Sequence, residues 1–100
     1  METIVTVFRS RLRDELDGYE ETAIDMFLKA SSMPGFVSFK QFTADDGERV
    51  AIVQFDSLEH QKEWRNHPDH GVAQRRGREE WYAEYRIQVC RVLSEHNFGQ

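Results

Sequence analysis

Cysteine, long apolar runs and strongly basic stretches are what this sequence has least of. Its one cysteine, Cys90, excludes an internal disulfide and suits a reducing compartment. Cys90 lies in an apolar strand pattern and is expected to be a buried, inert thiol. No segment approaches the roughly 18 apolar residues of a membrane span. Arg9, Arg11 and Arg13 interrupt the stretch where a signal peptide would keep its apolar core. A cytoplasmic location without membrane contact is the expectation. Gly-rich phosphate loops, paired-cysteine motifs and Ser/His/Asp sets are missing, so nucleotide, thiol-redox and acyl-transfer chemistry have no motif behind them. Thirteen Lys and Arg against 18 Asp and Glu leave a net charge of −5 spread along the chain, which argues against nucleic acid. The one basic run, Arg75-Arg76-Gly77-Arg78, is flanked by Glu79 and Glu80 and reads as a solvated helix face.

Aromatic residues, by contrast, are plentiful: seven Phe, three Tyr and two Trp in 100 residues. That length makes one domain, with a core over about 3–93 and a loose polar tail over 94–100. A chain this short buries only roughly 60–65% of its unfolded surface, so the aromatics need a core, a partner surface or a pocket.

The order of elements reads strand, helix, strand, strand, helix, strand. Thr3 to Phe8 is β-branched and aromatic. Leu16, Tyr19, Ala23, Met26, Phe27 and Ala30 recur at helical spacing, and Ser31, Ser32, Pro34 and Gly35 end that helix. Phe36 to Phe42 and Arg49 to Phe55 form a hairpin around Asp45-Asp46-Gly47. Asp56-Ser57-Leu58-Glu59 resembles a capping box, with Asp56 as N-cap of a helix from Ser57 to about Arg65. Pro68 opens a second helical piece that places His67, His70, Gln74, Gly77, Arg78 and Trp81 roughly on one face. Tyr85 to Leu93 is the last strand. The predicted class is α+β, a ferredoxin-like βαββαβ domain with a four-stranded antiparallel sheet.

The strands are apolar on both faces. Ile4 and Phe8 oppose Val5 and Val7; Phe36 and Phe42 oppose Val37 and Phe39; Val50 and Ile52 oppose Val53 and Phe55; Ile87 and Val89 oppose Cys90 and Val92. Helices cover one face of such a sheet, and a face left in water should alternate cleanly. A second protomer is the economical cover for the other, giving a face-to-face homodimer.

Phe8-Arg9, Met33-Pro34-Gly35-Phe36, Trp64-Arg65-Asn66-His67-Pro68-Asp69-His70 with Ala73-Gln74, and Gly77 to Tyr85 together resemble the antibiotic biosynthesis monooxygenase family. The resemblance spans about Thr3 to Leu93. It implies a dimeric α/β barrel with a pocket between sheet and helices in each protomer. It also implies cofactor-independent oxygenation of a small aromatic, quinol-like molecule. The alternatives are a non-catalytic ligand-binding or stress-associated dimer, and haem breakdown. Haem is disfavoured: Trp64 fits that branch, but Gln74 stands at or beside its axial histidine position and the first strand lacks its asparagine.

Oxygen activation without metal or flavin needs a substrate anion, a base and a dry pocket. Arg9 is the candidate for anion stabilisation, His70 for proton exchange and Trp64 for substrate stacking. Trp81, Tyr82, Phe27, Phe39 and His67 are candidates for binding the substrate. Packing alone is the plain alternative for the two tryptophans, and an N-cap before Pro68 is that for His67. His67 and His70 have a metal-compatible spacing but lack a suitably placed third ligand, so no metal is expected. His60 and His96 are expected at the surface. Sedimentation equilibrium at micromolar concentration is expected to give twice the chain mass of 11.8 kDa; a clean monomer contradicts the reading of the strands.

Overall fold

The structure, a computed structural model, describes residues 2–99. Its strands are β1 (Ile4–Leu12), β2 (Phe36–Thr43), β3 (Arg49–Phe55) and β4 (Tyr82–Arg91). Its helices are α1 (Tyr19–Ser31), α2 (Leu58–Arg65) and α3 (Pro68–Arg76), and a π-helical turn, Gly77–Trp81, joins α3 to β4. The strands form one antiparallel sheet in the order β2-β3-β1-β4, the ferredoxin-like arrangement. Residues that face the helices along the two central strands are Ile4, Thr6, Phe8 and Ser10 on β1, and Arg49, Ala51, Val53 and Phe55 on β3. The opposite side carries Val5, Val7 and Arg9 beside Val50, Ile52 and Gln54. Side chains alternate along a strand, so these two sets cannot mix.

Helix boundaries follow local chemistry. The first helix begins at Tyr19, later than periodicity alone suggests, because Gly18 sits in a left-handed conformation at its N-cap (φ 79°). Glu20 and Glu21 in its first turn and Lys29 in its last complement the helix dipole. The N-cap of α2 is Ser57, whose Oγ accepts from the His60 N–H at 3.1 Å, which corrects the expected capping role of Asp56. Asp56 is engaged elsewhere: its N–H donates to the Gly35 carbonyl at 2.9 Å and its carboxylate meets His60 Nδ1 at 2.6 Å. His60 is therefore half-buried and paired, not a bare surface residue.

The buried centre lies at one end of the sheet, where Trp64 of α2 joins Ala30 of α1 with Val53 and Phe55 of β3. Gln61 and Trp64, three residues apart on one helical face, both point inward. Two register shifts move aromatic side chains to the helix side. One lies between Phe36 and Ser38 in β2, and it sets Phe36 against Phe55 at 5.9 Å. Strict alternation had put Phe36 on the same face as Phe42; the irregularity at Val37 separates them. The other lies opposite Arg11 and Leu12, and it brings Tyr82 and Tyr85 to the same side of β4. That pairing also starts β4 at Tyr82, earlier than expected. Cys90 is exposed and pairs in register with Val5 on the side away from the helices, so the expectation of a buried thiol is corrected. The cause is its position on an edge strand, where one face has no cover.

Gly35 occupies a left-handed conformation (φ 81°), and a Cβ there would fall on the Asp56 carboxylate and the His60 ring. Gly47 has φ 92° with nothing within 4 Å of a built Cβ. Gly47→Ala should cost only the backbone strain, about 1–2 kcal/mol in urea unfolding. Gly35→Ala should cost clearly more, because it also breaks the Asp56–His60 contact. Equal losses would show that the contact does not tie the α1–β2 turn to α2.

Candidate functional site

Between the sheet and the helices lies a cavity of about 440 Å³. Its floor is the helix-facing side of β1 and β3, with Phe39 and Gln41 of β2 and Tyr85, Ile87 and Val89 of β4 at the flanks. Tyr19, Ala23 and Met26 of α1 form part of the roof, with Gln61, Trp64 and Arg65 of α2 and His70, Ala73 and Gln74 of α3. Each indole closes an end. Trp64 is 8% exposed among the core residues; Trp81 is 3% exposed and donates from Nε1 to the Asp17 carbonyl at 2.9 Å. Around Trp81 the rings gather: Tyr19 lies edge to face with Trp81 at 5.5 Å, while Phe8 lies tilted at 5.4 Å from Tyr82 and 5.5 Å from Tyr85. Gly77 is what lets the Tyr82 ring close in, since a Cβ there would stand 2.6 Å from Cε2.

His70 stacks on Trp64 with centroids 4.5 Å apart and planes 20° apart. Burial lowers its pKa below the ordinary 6.5, although the backbone carbonyls of Arg65 and Trp64 pull the other way. The imidazole is thus neutral at pH 7. Two buried polar atoms on these walls, His70 Nδ1 and Gln61 Oε1, have no hydrogen-bond partner within the protein. Burial also raises the pKa of Tyr82, with Tyr19 adding to the effect, so its hydroxyl stays protonated.

Of the residues singled out in the sequence, Trp64, His70, Trp81, Tyr82 and Phe39 come together on this cavity. Phe27 does not line it; 40% exposed, it sits behind Phe39 in an edge-to-face contact at 5.3 Å. His67 is not on the wall either. Its Nδ1 accepts from the Asp69 N–H at 3.1 Å and caps α3, the plain alternative drawn for it. Arg9 is corrected more sharply. As an odd-numbered residue of β1 it lies on the face away from the helices, held by Glu48 through two contacts of 3.0 Å. The arginine that the sheet contributes to the cavity is Arg49, one strand across, in register with the buried Ser10. Its Nε and Nη2 face the Gln41 side-chain oxygen, and its guanidinium lies 5.6 Å from the centre of the Tyr19 ring. Arg49 and Gln61 escaped the sequence reading, although counting back by twos from Phe55 through Val53 and Ala51 leads to Arg49. At or beside the position expected for an axial histidine, Gln74 supplies an amide to the wall, and His70 lies flat on Trp64. Among the described residues no three His, Cys, Asp or Glu side chains gather as metal ligands. No helix there is long and apolar enough to cross a membrane.

Two imidazoles with opposite perturbations give a direct test. His70 is stabilised neutral, so its contribution to stability is full above pH 6.5 and lost as pH falls toward its own pKa. His60 is stabilised charged by Asp56, so its contribution is full below 6.5 and lost as pH rises through its raised pKa. Side-chain NMR titration should place the His70 midpoint below 6.5 and the His60 midpoint above it. The reverse order would contradict both assignments.

No protein-family model matches the chain. YqjZ of Bacillus subtilis (strain 168), an uncharacterized protein, is 34% identical over 95 residues, covering 94% of this chain and 83% of YqjZ. Rv0793 from Mycobacterium tuberculosis superposes with a TM-score of 0.81 at 18% identity, over 95% of this chain and 99% of that one. A mutant form of SnoaB, a cofactor-independent oxygenase from Streptomyces nogalater, gives 0.80 at 13% identity, over 95% and 97%. A candidate antibiotic biosynthesis monooxygenase from Nitrosomonas europaea gives 0.77 at 14%, over 91% and 90%. The chain therefore belongs to the same family as YqjZ, with the ferredoxin-like α+β fold of the antibiotic biosynthesis monooxygenases.

Proposed function

We propose that the chain is a cofactor-independent oxygenase acting on a small hydroxylated arene in the cavity between sheet and helices. The observation that carries this reading is the imidazole of His70 held flat on Trp64 at the wall of an aromatic cavity, where burial favours its neutral form. A neutral His70 can take the proton from a substrate hydroxyl, and the resulting electron-rich anion can react with oxygen directly. For a ring methylene going to a ring carbonyl, the substrate gives up four electrons. One oxygen atom becomes the carbonyl and the other leaves as water. Trp64, with one face against His70, acts as a positioning residue for the base, while Trp81, Tyr82 and Phe39 shape the slot. The fold shared with SnoaB supports the reaction class without supplying a substrate.

The same reading assigns the other side of the sheet to a second copy of the chain. Val5, Val7, Val50 and Ile52 are half-buried there and Phe42 is 47% exposed, with no helix over them. A two-fold pairing of sheets covers these groups and leaves both cavities intact. The exposed Cys90 thiol on that side suits a reducing, cytoplasmic setting.

Oxygen uptake with a panel of anthrones and hydroquinones tests the reaction. The expected result is uptake matched by quinone formation, slowed about a hundredfold or more by His70→Ala with binding of the arene retained. Binding that stabilises the protein without oxygen uptake would make it a ligand-binding module instead. No binding by any member of the panel would overturn both readings.

A further inference from the structure

The cavity wall carries two arginines, Arg49 and Arg65, and no Asp or Glu, although the chain has 18 acidic residues and a net charge of −5. Seven of them pair with cations elsewhere. Glu48 holds Arg9, Asp46 and Glu84 hold Arg11, Glu80 holds Arg76, Glu2 holds Arg91, and Asp25 and Asp69 hold Lys29. Among the described residues no carboxylate lies within ion-pair distance of Arg49. Its neighbours are the neutral Gln41 oxygen and the Tyr19 ring. A half-buried cation beside an aromatic wall with only neutral partners keeps donors available to an added anion.

We propose that Arg49 makes the cavity selective for arenes that carry a carboxylate, seated with that group at the end of the cavity formed by Arg49, Ser10 and Tyr82. Arginine presents a planar fork of donors that matches a carboxylate in two parallel hydrogen bonds. Ser10 and Tyr82 line the same cavity and carry hydroxyls that can act as further donors. A phenolate is the weaker occupant of this end. Tyr82 is itself a phenol beside Arg49, and burial keeps it protonated despite the nearby cation. A carboxylic acid arrives already ionised. The inference rests on the proposed aromatic-binding role of the cavity and adds the chemical class: a hydroxyarene carboxylate, with its acid group at Arg49 and the rest of the ring system extending along β3 toward Val53, His70 and Trp64.

Anthracene-2-carboxylate and its neutral isostere anthracene-2-carboxamide separate these ideas at pH 7. Both are followed by quenching of tryptophan fluorescence, since the chain's two tryptophans both line the cavity. The carboxylate should bind at least about tenfold tighter than the amide, as expected for a charge-assisted contact. Arg49→Gln should remove that preference by weakening the carboxylate alone, with the amide's affinity serving as the check on folding. Arg49→Lys should restore part of the preference. An amide that binds the wild-type protein as tightly as the carboxylate overturns the proposal and leaves the aromatic cavity standing. So does a preference that survives Arg49→Gln. If neither probe binds at millimolar concentration, the aromatic-binding reading fails and the proposal falls with it.

Discussion

Three short helices have to cover one face of a four-stranded sheet, and they meet it through bulky side chains only near its ends. Trp64 fills the space over Val53 and Phe55, while Trp81 and its ring of tyrosines fill the space over Phe8. Between them the facing residues include Ala23 of α1, Ala51 of β3 and Ala73 of α3, which remove side-chain volume from both roof and floor. Protein interiors are close-packed wherever volume allows, so opposed small residues between two large indoles leave a cavity. The hollow is thus a consequence of where large and small side chains stand along otherwise ordinary elements.

Its chemistry follows from the same geometry. Burial of these two side chains at the cavity wall favours the neutral form of His70 and the protonated form of Tyr82. On the other face of the sheet, arginines and carboxylates stand in the open and pair with each other, where such contacts contribute little to stability. One strand therefore separates two electrostatic regimes. Arg9 and Ser10 are neighbours in the chain, yet Arg9 is held by Glu48 on one side while Ser10 is buried beside the cavity on the other.

Much of the fold was legible because its signals are local. The β-branched runs, the Asp46-Gly47 turn, the Pro34-Gly35 stop and Pro68 at a helix start all act within a few residues; the hairpin and the start of α3 are found where expected, while β1 runs on to Leu12 and β4 starts earlier. The capping of α2 was misjudged because the Asp56 carboxylate is taken by His60, while Ser57, one residue on, accepts from the His60 N–H. The site was legible in part. Trp64 and His70 stand on one wall although α2 ends at Arg65 and His67 is extended, so their meeting depends on how the two helices pack. Arg9 was misplaced although its own neighbours gave its direction: Val5 and Val7 share its parity, and Phe8 opposes it. Phe36 and the pair Tyr82 and Tyr85 depended on register shifts, which alternation within one strand cannot reveal. Gln61 and Arg49 carried no motif, and their importance comes only from what surrounds them after folding.

Central to the account is a division of labour across the sheet, with ligand chemistry on the helix side and protein contact on the other. NMR mapping with a neutral polycyclic arene tests it directly. The account predicts shifts at the Trp64 and Trp81 indole N–H signals and at the methyl groups of Ala23, Ala51 and Ala73, with those of Val5, Val7, Val50 and Ile52 unmoved. Shifts confined to the valine and isoleucine methyls would put the ligand on the open face and contradict it.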